Sequence, residues 1–141
     1  MKKRLSLIIT ISVILAVILQ VTAFAAQPST DSIKNNNVIS TYTIFSISNS
    51  GNGEVYVYYD GVSGVTSGAT ISVVIKKNTF LWFTSTVVDE TYNISASSYS
   101  NTYEYDLTSS GSGTYKCNVT YTISGSGGAD DVIPFEDTAS Y

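Results

Sequence analysis

Apolar side chains recur at every second residue along most of the chain beyond residue 38, and this alternation restricts the fold more than any other feature. In the clearest run, Thr114 to Ser124, five residues are in phase: Tyr115, Cys117, Val119, Tyr121 and Ile123. Side chains of a strand alternate between two faces, whereas one face of a helix repeats about every 3.6 residues. The pattern therefore predicts strands, and no segment beyond residue 26 shows the helical period.

The alternation predicts about seven short strands separated by turns rich in glycine, serine and asparagine. The predicted strands are 38–48, 54–60, 69–77, 80–88, 99–107, 114–124 and an edge strand within 132–141. In four of these strands, one face is predicted to be buried. Its residues, strand by strand, are Ile39, Phe45 and Ile47; Val55, Val57 and Tyr59; Ile71, Val73 and Ile75; and Tyr99, Tyr103, Tyr105 and Leu107. Segment 89–98 is weakly patterned and is predicted to be a connection. Because one sheet cannot cover its own apolar face, the predicted fold is all-β, an antiparallel immunoglobulin-like β-sandwich.

A hydrophobic signal helix is predicted at the N-terminus. Met1 to Arg4 is basic, Leu5 to Leu19 is apolar, and Ala23-Phe24-Ala25 fits a cleavage site, with cleavage expected between Ala25 and Ala26. The alternative is an uncleaved membrane anchor, since the apolar stretch is close to the ~20 residues that a span needs. The predicted domains are a signal peptide at 1–25, a flexible polar linker at 26–37 and the β-sandwich at 38–141. The predicted location is secreted or at the extracellular surface.

The charge of the chain excludes two classes of partner. Beyond the leader, four lysines stand against eleven acidic residues, a net charge of about −7. Such a chain repels nucleic acid and anionic lipid, so contact with a membrane is expected only through an uncleaved leader. The partner is expected to be an extracellular protein or a glycan, with self-association through an edge strand as a further option.

The segment SGTYKC, residues 112–117, is typical of the sixth strand of an immunoglobulin domain, where a tyrosine stands two residues before a half-cystine. Trp82, Tyr115 and Cys117 occur in the order of that pattern and are predicted to be structural core residues. Cys117 is the only cysteine, so the usual disulfide cannot form. A buried thiol is the favoured interpretation and an intermolecular disulfide the alternative. A catalytic cysteine is disfavoured because the chain has no histidine to activate it.

The chain also resembles a family of small secreted proteins of Gram-positive bacteria whose single domain has no known function. The resemblance spans most of residues 38–125. It rests on Gly51-Asn52-Gly53, Gly68, Trp82, Gly111 to Tyr115 and Val119 to Tyr121. It implies a small, secreted, β-rich protein, and it supplies no catalytic residues.

Tyrosine is the residue in excess, with eleven in the chain. Tyr56 and Tyr58 are predicted to lie on the face opposite Val55 and Val57. An exposed pair of this kind suits the stacking of sugar rings or a protein interface. The alternative is that tyrosine is simply a good strand residue that packs on its neighbours.

Chemical sites are poorly supported. Asp130 and Asp131, with Asp60, are the candidates for a calcium site, but the chain lacks a D-x-D-x-D-G run. Zinc and serine-hydrolase sites lack histidine, and no pair of acids suggests a glycosidase. Asn93-Ile94-Ser95 and Asn118-Val119-Thr120 have the form of glycosylation sequons, which we attribute to chance. No catalytic residue and no cofactor is predicted. The favoured hypothesis is a non-enzymatic binding or structural module, with a carbohydrate-binding module as the alternative and a membrane-anchored extracellular domain as a further one.

Overall fold

The computed structural model describes residues 35–79 and 83–141, which form seven antiparallel strands in two sheets. The elements are β1, Val38–Ile47; β2, Asn52–Gly61; β3, Thr66–Asn78; β4, Thr84–Ile94; β5, Ser98–Asp106; a 3₁₀ turn, Thr108–Ser110; β6, Thr114–Gly125; and β7, Asp131–Ser140. The all-β prediction and the expected number of strands are confirmed. The predicted signal helix, Ala25, Ala26 and Trp82 lie outside the described residues.

The two sheets have the strand orders β1-β2-β5 and β4-β3-β6-β7. The inward-facing apolar side chains of both sheets form one core: Val38, Phe45, Val55, Val57, Tyr59, Ala69, Ile71, Val73, Ile75, Tyr105, Leu107, Tyr115, Cys117, Val119, Tyr121 and Ile123. Because β2, β3 and β6 lie inside their sheets, their alternation is strictest and each in-phase apolar residue is fully buried or nearly so. Burying a side chain of this size contributes about 1.5–3 kcal/mol. Strand period alone therefore locates the centre of the core.

The prediction that Ile39 shares the buried face of β1 is wrong. A β-bulge shifts the pairing between Val38 and Ser40, which are opposite Gly61 and Asp60. The extra residue moves Val38 into the core, at 3% exposure, and leaves Ile39 65% exposed. Beyond the bulge the predicted phase holds, because Phe45 is buried.

β4 ends later than predicted, and residues 80–82 of the predicted strand lie outside the described residues. The sequence places a strand at 80–88 and a connection at 89–98, whereas β4 covers Thr84–Ile94. β3 is thirteen residues long and offers pairing positions as far as Ala69, which lies opposite Ile94. Backbone groups pair along the whole length of an available strand, so the weakly patterned segment becomes part of the sheet. Because β4 is an edge strand, its side chains are mostly exposed and their alternation is weak.

β7 is the opposite edge of the four-stranded sheet, as its proline requires. Pro134 lies opposite Thr120 of β6 and has no backbone N–H to donate. Because no described strand of this sheet pairs with the other side of β7, the missing donor interrupts no hydrogen bonds there. β7 also lies against β1 of the other sheet, so the two sheets meet along this side of the sandwich.

A buried polar cluster joins the start of β1 to the start of β7. The carboxylate of Asp131 accepts hydrogen bonds from the backbone N–H groups of Asn36, Asn37 and Val38, at 3.1, 2.7 and 3.0 Å. Successive N–H groups of this kind form a concave anion-binding surface, and here the chain fills it with its own carboxylate. Asp131 is only 7% exposed.

Asn37 extends the same cluster to the loop before β7. Its amide nitrogen donates to the carbonyl of Ala129 at 2.9 Å, and its amide oxygen accepts from the N–H of Gly127 at 3.1 Å. Its own carbonyl accepts from the N–H of Val62 and from the hydroxyl of Thr66. The side chain is fully buried. The last residues of the predicted linker therefore belong to the folded domain.

The connection between β5 and β6 is held by three side chains at the other end of the sandwich. The hydroxyl of Tyr115 donates to the carbonyl of Gly111, and that of Tyr141 donates to the carbonyl of Leu107 at 3.0 Å. Lys77 donates to the carbonyls of Ser110 and Gly111 and lies over the Tyr115 ring. These contacts fix a short turn that carries few apolar residues of its own.

Candidate functional site

The outer side of the three-stranded sheet exposes a group of large side chains that we call the outer tyrosine face: Tyr42, Ile44, Tyr56 and Tyr58. Tyr42 is 40% exposed and Ile44 39% exposed, and Tyr56 and Tyr58 are half-buried. In the β1–β2 register, Tyr42 lies opposite Tyr58 and Ile44 opposite Tyr56. The rings of Tyr42 and Tyr56 pack edge to face, with centroids 6.3 Å apart. The alternation of β2 fixes this face, because Val55, Val57 and Tyr59 take the inward positions.

A shallow depression of about 290 Å³ lies beside this face, between β2 and β5. It is lined by Tyr58, Asp60, Ser98, Tyr99 and Ser100. Tyr58 lies opposite Ser100 and Asp60 opposite Ser98, so one ring, one carboxylate and two hydroxyl groups border the same space. Because the depression is shallow and its lining is mainly polar, it suits a small polar ligand better than the apolar ligands that enclosed pockets bind.

The charge on this side of the sandwich is negative. Glu54 of β2 lies directly opposite Glu104 of β5, and both are exposed. Like charges at directly opposed positions destabilise a sheet pair. The lysines of the described chain, Lys76, Lys77 and Lys116, belong to β3 and β6 of the other sheet. The two outer surfaces of the sandwich therefore differ in electrostatic character.

A second depression, of about 390 Å³, lies on the outer side of the four-stranded sheet. Its lining includes Val74, Lys76 and Lys116. The ammonium group of Lys116 already forms an ion pair with Glu136 at 2.7 Å. Among the described residues that line it there is charge but no aromatic ring, and on these residues it suits an extended organic ligand less well than the outer tyrosine face.

Cys117 lies in the centre of the core and is fully buried. Burial is the main cause, and the negative charge of Asp137 the second, that raises the pKa of its thiol to about 12. The thiol is therefore protonated at neutral pH and shielded from a second chain, so an intermolecular disulfide would require the core to open. Tyr115, two residues earlier, is also fully buried and makes the turn contacts described above.

The acids proposed for calcium do not converge. Asp131 uses both carboxylate oxygens on backbone N–H groups, while Asp130 is exposed on the loop. Within the described part of the chain, no three acidic or cysteine side chains come together in a way that would hold a metal ion.

Where β4 and β5, edge strands of the two sheets, lie side by side, a cluster forms that we call the β4–β5 seam: Glu90, Tyr92, Tyr99, Tyr103 and Tyr105. The sequence placed Tyr99, Tyr103 and Tyr105 on one face, but it missed the contribution of Glu90 and Tyr92. The rings of Tyr92 and Tyr103 stack at 3.8 Å between centroids, with 15° between their planes. Burial, together with the hydrogen bond to Glu90, raises the pKa of Tyr92. Burial also raises the pKa values of Tyr103 and Tyr105. The available signal was the shared phase of residues 90, 92 and 94 in a segment read as a connection.

Comparison of the chain with protein-family models, with curated proteins and with solved structures finds no match. No helix that is long and apolar enough to cross a membrane occurs within residues 35–79 and 83–141. The functional argument therefore depends on the surfaces described above.

Proposed function

We propose that this protein is a non-enzymatic binding module of the cell exterior, built as an immunoglobulin-like β-sandwich, and that the outer tyrosine face binds its partner. The observation that carries this proposal is the exposure of Tyr42 and Ile44 beside Tyr56 and Tyr58 on one sheet surface. Tyrosine gives an interface a large rigid contact area at a low cost in conformational entropy. The basic and apolar segments at the N-terminus support export, and the resemblance to small secreted proteins of Gram-positive bacteria agrees with it.

The immunoglobulin-like assignment is supported by two features. Three strands, β1, β2 and β5, face the four strands β4, β3, β6 and β7, as in sandwiches with Greek-key connections. Tyr115 bonds the carbonyl of Gly111, four residues upstream, which is the contact of a tyrosine corner near the start of the sixth strand.

Direct binding measurements on immobilised extracellular proteins and glycans test the proposal. The double variant Tyr56→Ala, Tyr58→Ala should lose at least about tenfold in affinity, because truncating central aromatic contacts typically costs 2 kcal/mol or more. Thr120→Ala with Thr122→Ala, on the outer side of the other sheet, is the matched control and should bind normally. Equal binding by both double variants would refute the role of this face.

The second candidate is a carbohydrate-binding module, favoured by the depression between Tyr58, Asp60, Ser98 and Ser100. A tyrosine ring stacks on the apolar face of a sugar while the carboxylate and hydroxyl groups bond its hydroxyls. The opposed Glu54 and Glu104 disfavour anionic glycans, so the ligand is a neutral sugar or an amino sugar. A glycan array separates this candidate from a protein partner: selective binding of such sugars, lost in Asp60→Ala, supports it, and uniform absence of binding rejects it.

Absence of catalysis and release from the membrane are parts of the same proposal. The missing histidine and the buried thiol of Cys117 remove the common nucleophile–base pairs. Turnover of generic ester, peptide or glycoside substrates by the purified protein would contradict it.

The membrane-anchored alternative predicts that the mass of the mature protein includes residues 1–25, whereas cleavage after Ala25 predicts that it does not.

A further inference from the structure

The β4–β5 seam contains a stacked ring pair that joins the two sheets. Tyr92 belongs to β4, an edge of the four-stranded sheet, and Tyr103 belongs to β5, an edge of the three-stranded sheet. Their centroids are 3.8 Å apart, the rings are nearly parallel, and both side chains are half-buried. The pair is therefore in van der Waals contact and is still reached from solvent.

The phenol of Tyr92 donates to a carboxylate, and the phenol of Tyr103 lies beside a second hydroxyl group. The hydroxyl of Tyr92 donates to the carboxylate of Glu90. Because that proton is committed, Tyr105 is the donor in the 3.0 Å contact between the Tyr92 and Tyr105 hydroxyls. The hydroxyl of Tyr103 lies 3.1 Å from that of Tyr99. A phenol that loses an electron becomes a strong acid, so an adjacent carboxylate lowers the barrier to its oxidation by taking the proton as it leaves.

We propose that Tyr92 and Tyr103 form a site of oxidative modification, at which a peroxidase-type one-electron oxidant supplied with hydrogen peroxide couples the two rings into a dityrosine cross-link. One electron leaves each phenol. The hydroxyl proton of Tyr92 passes to Glu90 and that of Tyr103 passes to water through the Tyr99 hydroxyl.

A carbon–carbon bond then forms between the ring positions next to the two hydroxyl-bearing carbons. Each of these carbons gives up its hydrogen as a proton, and both phenol hydroxyls are restored. The two electrons and two protons released overall reduce one hydrogen peroxide molecule to two water molecules.

The other ring pairs of the described chain lack this combination. Tyr42 and Tyr56 meet edge to face at 6.3 Å, and the rings of Tyr59 and Tyr99 are tilted by 32° with centroids 6.4 Å apart. Tyr115 and Tyr141 stack at 5.8 Å, but Tyr115 is fully buried and its hydroxyl bonds a backbone carbonyl. Close parallel stacking, solvent access and a carboxylate acceptor occur together at Tyr92 and Tyr103.

The cross-link would complete the attachment between the sheets. On the side of β1 and β7, Asp131 already bonds the backbone at Asn36 to Val38. On the side of β4 and β5, residues 95–97 connect the two strands at one end, and the side chains of the seam contact one another along the strands. A covalent bond there would restrict the unfolded chain and raise the denaturant concentration needed to unfold the protein.

The test treats the purified protein with a haem peroxidase and limiting hydrogen peroxide. The expected product is monomeric on a denaturing gel, fluoresces as dityrosine and has lost two hydrogen atoms by intact mass. Cleavage after Glu90 and Glu104 releases the peptide 91–104, in which the cross-link suppresses backbone fragment ions between residues 92 and 103. Fragment ions between 92 and 99 would place the bond at Tyr99 instead, and a product consisting only of dimers would also overturn the proposal.

Variants separate the parts of the site. Tyr103→Phe keeps the stacked ring but should lose the intramolecular product, whereas Tyr56→Phe, on the outer tyrosine face, should keep it. Glu90→Gln keeps a hydrogen-bond acceptor but removes the base. We expect this variant to form the product about tenfold more slowly at neutral pH. This loss is smaller than the factor of ~10² that a positioned base can contribute. The rate should recover towards alkaline pH, and an unchanged rate and pH profile would show that Glu90 is not the proton acceptor.

Discussion

The contact between Asp131 and the start of β1 predicts one of the largest single-residue effects in this protein. The carboxylate receives three backbone N–H groups, at 3.1, 2.7 and 3.0 Å, two of which are buried at Asn37 and Val38. A hydrogen bond to a charged group is worth about 1.5–3 kcal/mol, and a buried donor left without a partner costs about 1–3 kcal/mol. Asp131→Ala removes all three acceptor contacts and leaves two donors in the interior. We therefore expect a loss of about 3–5 kcal/mol in the free energy of unfolding, less than the sum because the cost of burying the carboxylate is also removed.

Urea denaturation followed by far-ultraviolet circular dichroism measures this loss. A domain of this size has a total stability of about 5–15 kcal/mol, so the midpoint should fall far while the slope stays constant. Asp130→Ala is the matched control, since the neighbouring acid is exposed, and should change stability by less than about 0.5 kcal/mol. Asp131→Asn should fall between the two, because it keeps one acceptor oxygen. Equal midpoints for Asp130→Ala and Asp131→Ala would refute the account of the cluster.

Further effects follow from three buried groups. Tyr115→Phe removes the hydroxyl bonded to the Gly111 carbonyl and should cost about 1–2 kcal/mol in the same denaturation assay. Val38→Ala should cost about 2 kcal/mol while Ile39→Ser costs less than about 0.5 kcal/mol, and the reverse order would contradict the bulge. The Cys117 thiol should resist a thiol reagent in the folded protein and react once urea unfolds it. Burial raises the pKa of Cys117 from its ordinary 9.0 to about 12, so the unfolded chain loses the thiol proton at a lower pH than the folded protein does. The free energy of unfolding should therefore fall as the pH rises from about 9 towards 12, and it should fall less steeply in Cys117→Ala.

The centre of the fold could be predicted from the sequence because interior strands have only one arrangement that buries their apolar residues. Val55, Val57 and Tyr59 of β2 and the five in-phase residues of β6 are buried as their alternation predicts. The edges could not be predicted in the same way. A single extra residue in β1 reverses the orientation of Ile39, and the amino-acid pattern of the strand gives no sign of this bulge.

The limits of β4 and the polar cluster share a different cause. β4 is extended by its pairing with β3, the strand that precedes it in the chain, and the periodicity within β4 itself does not show how long that partner strand is. Asn37 and Asp131 are more than ninety residues apart, and each alone has the composition of a loop. Of the candidate site, the outward phase of Tyr56 and Tyr58 was predictable, whereas the depression beside them depends on the register with Ser98 and Ser100 of β5. The stack of Tyr92 on Tyr103 depends on how two sheets are superposed, which no single strand encodes.

The contact between β1 and β7 determines how this domain would respond to a mechanical pull. Both strands start at the end of the sandwich where Asp131 meets Asn36 to Val38, so they run in the same direction and the chain enters and leaves the domain at opposite ends. Tension applied at Asn35 and at Tyr141 would pull β1 and β7 past each other along their length, and the described hydrogen bonds that resist this between the two strand starts are those of Asp131. The Asp131 carboxylate lies across that shear plane, so it would be among the first groups to carry the force.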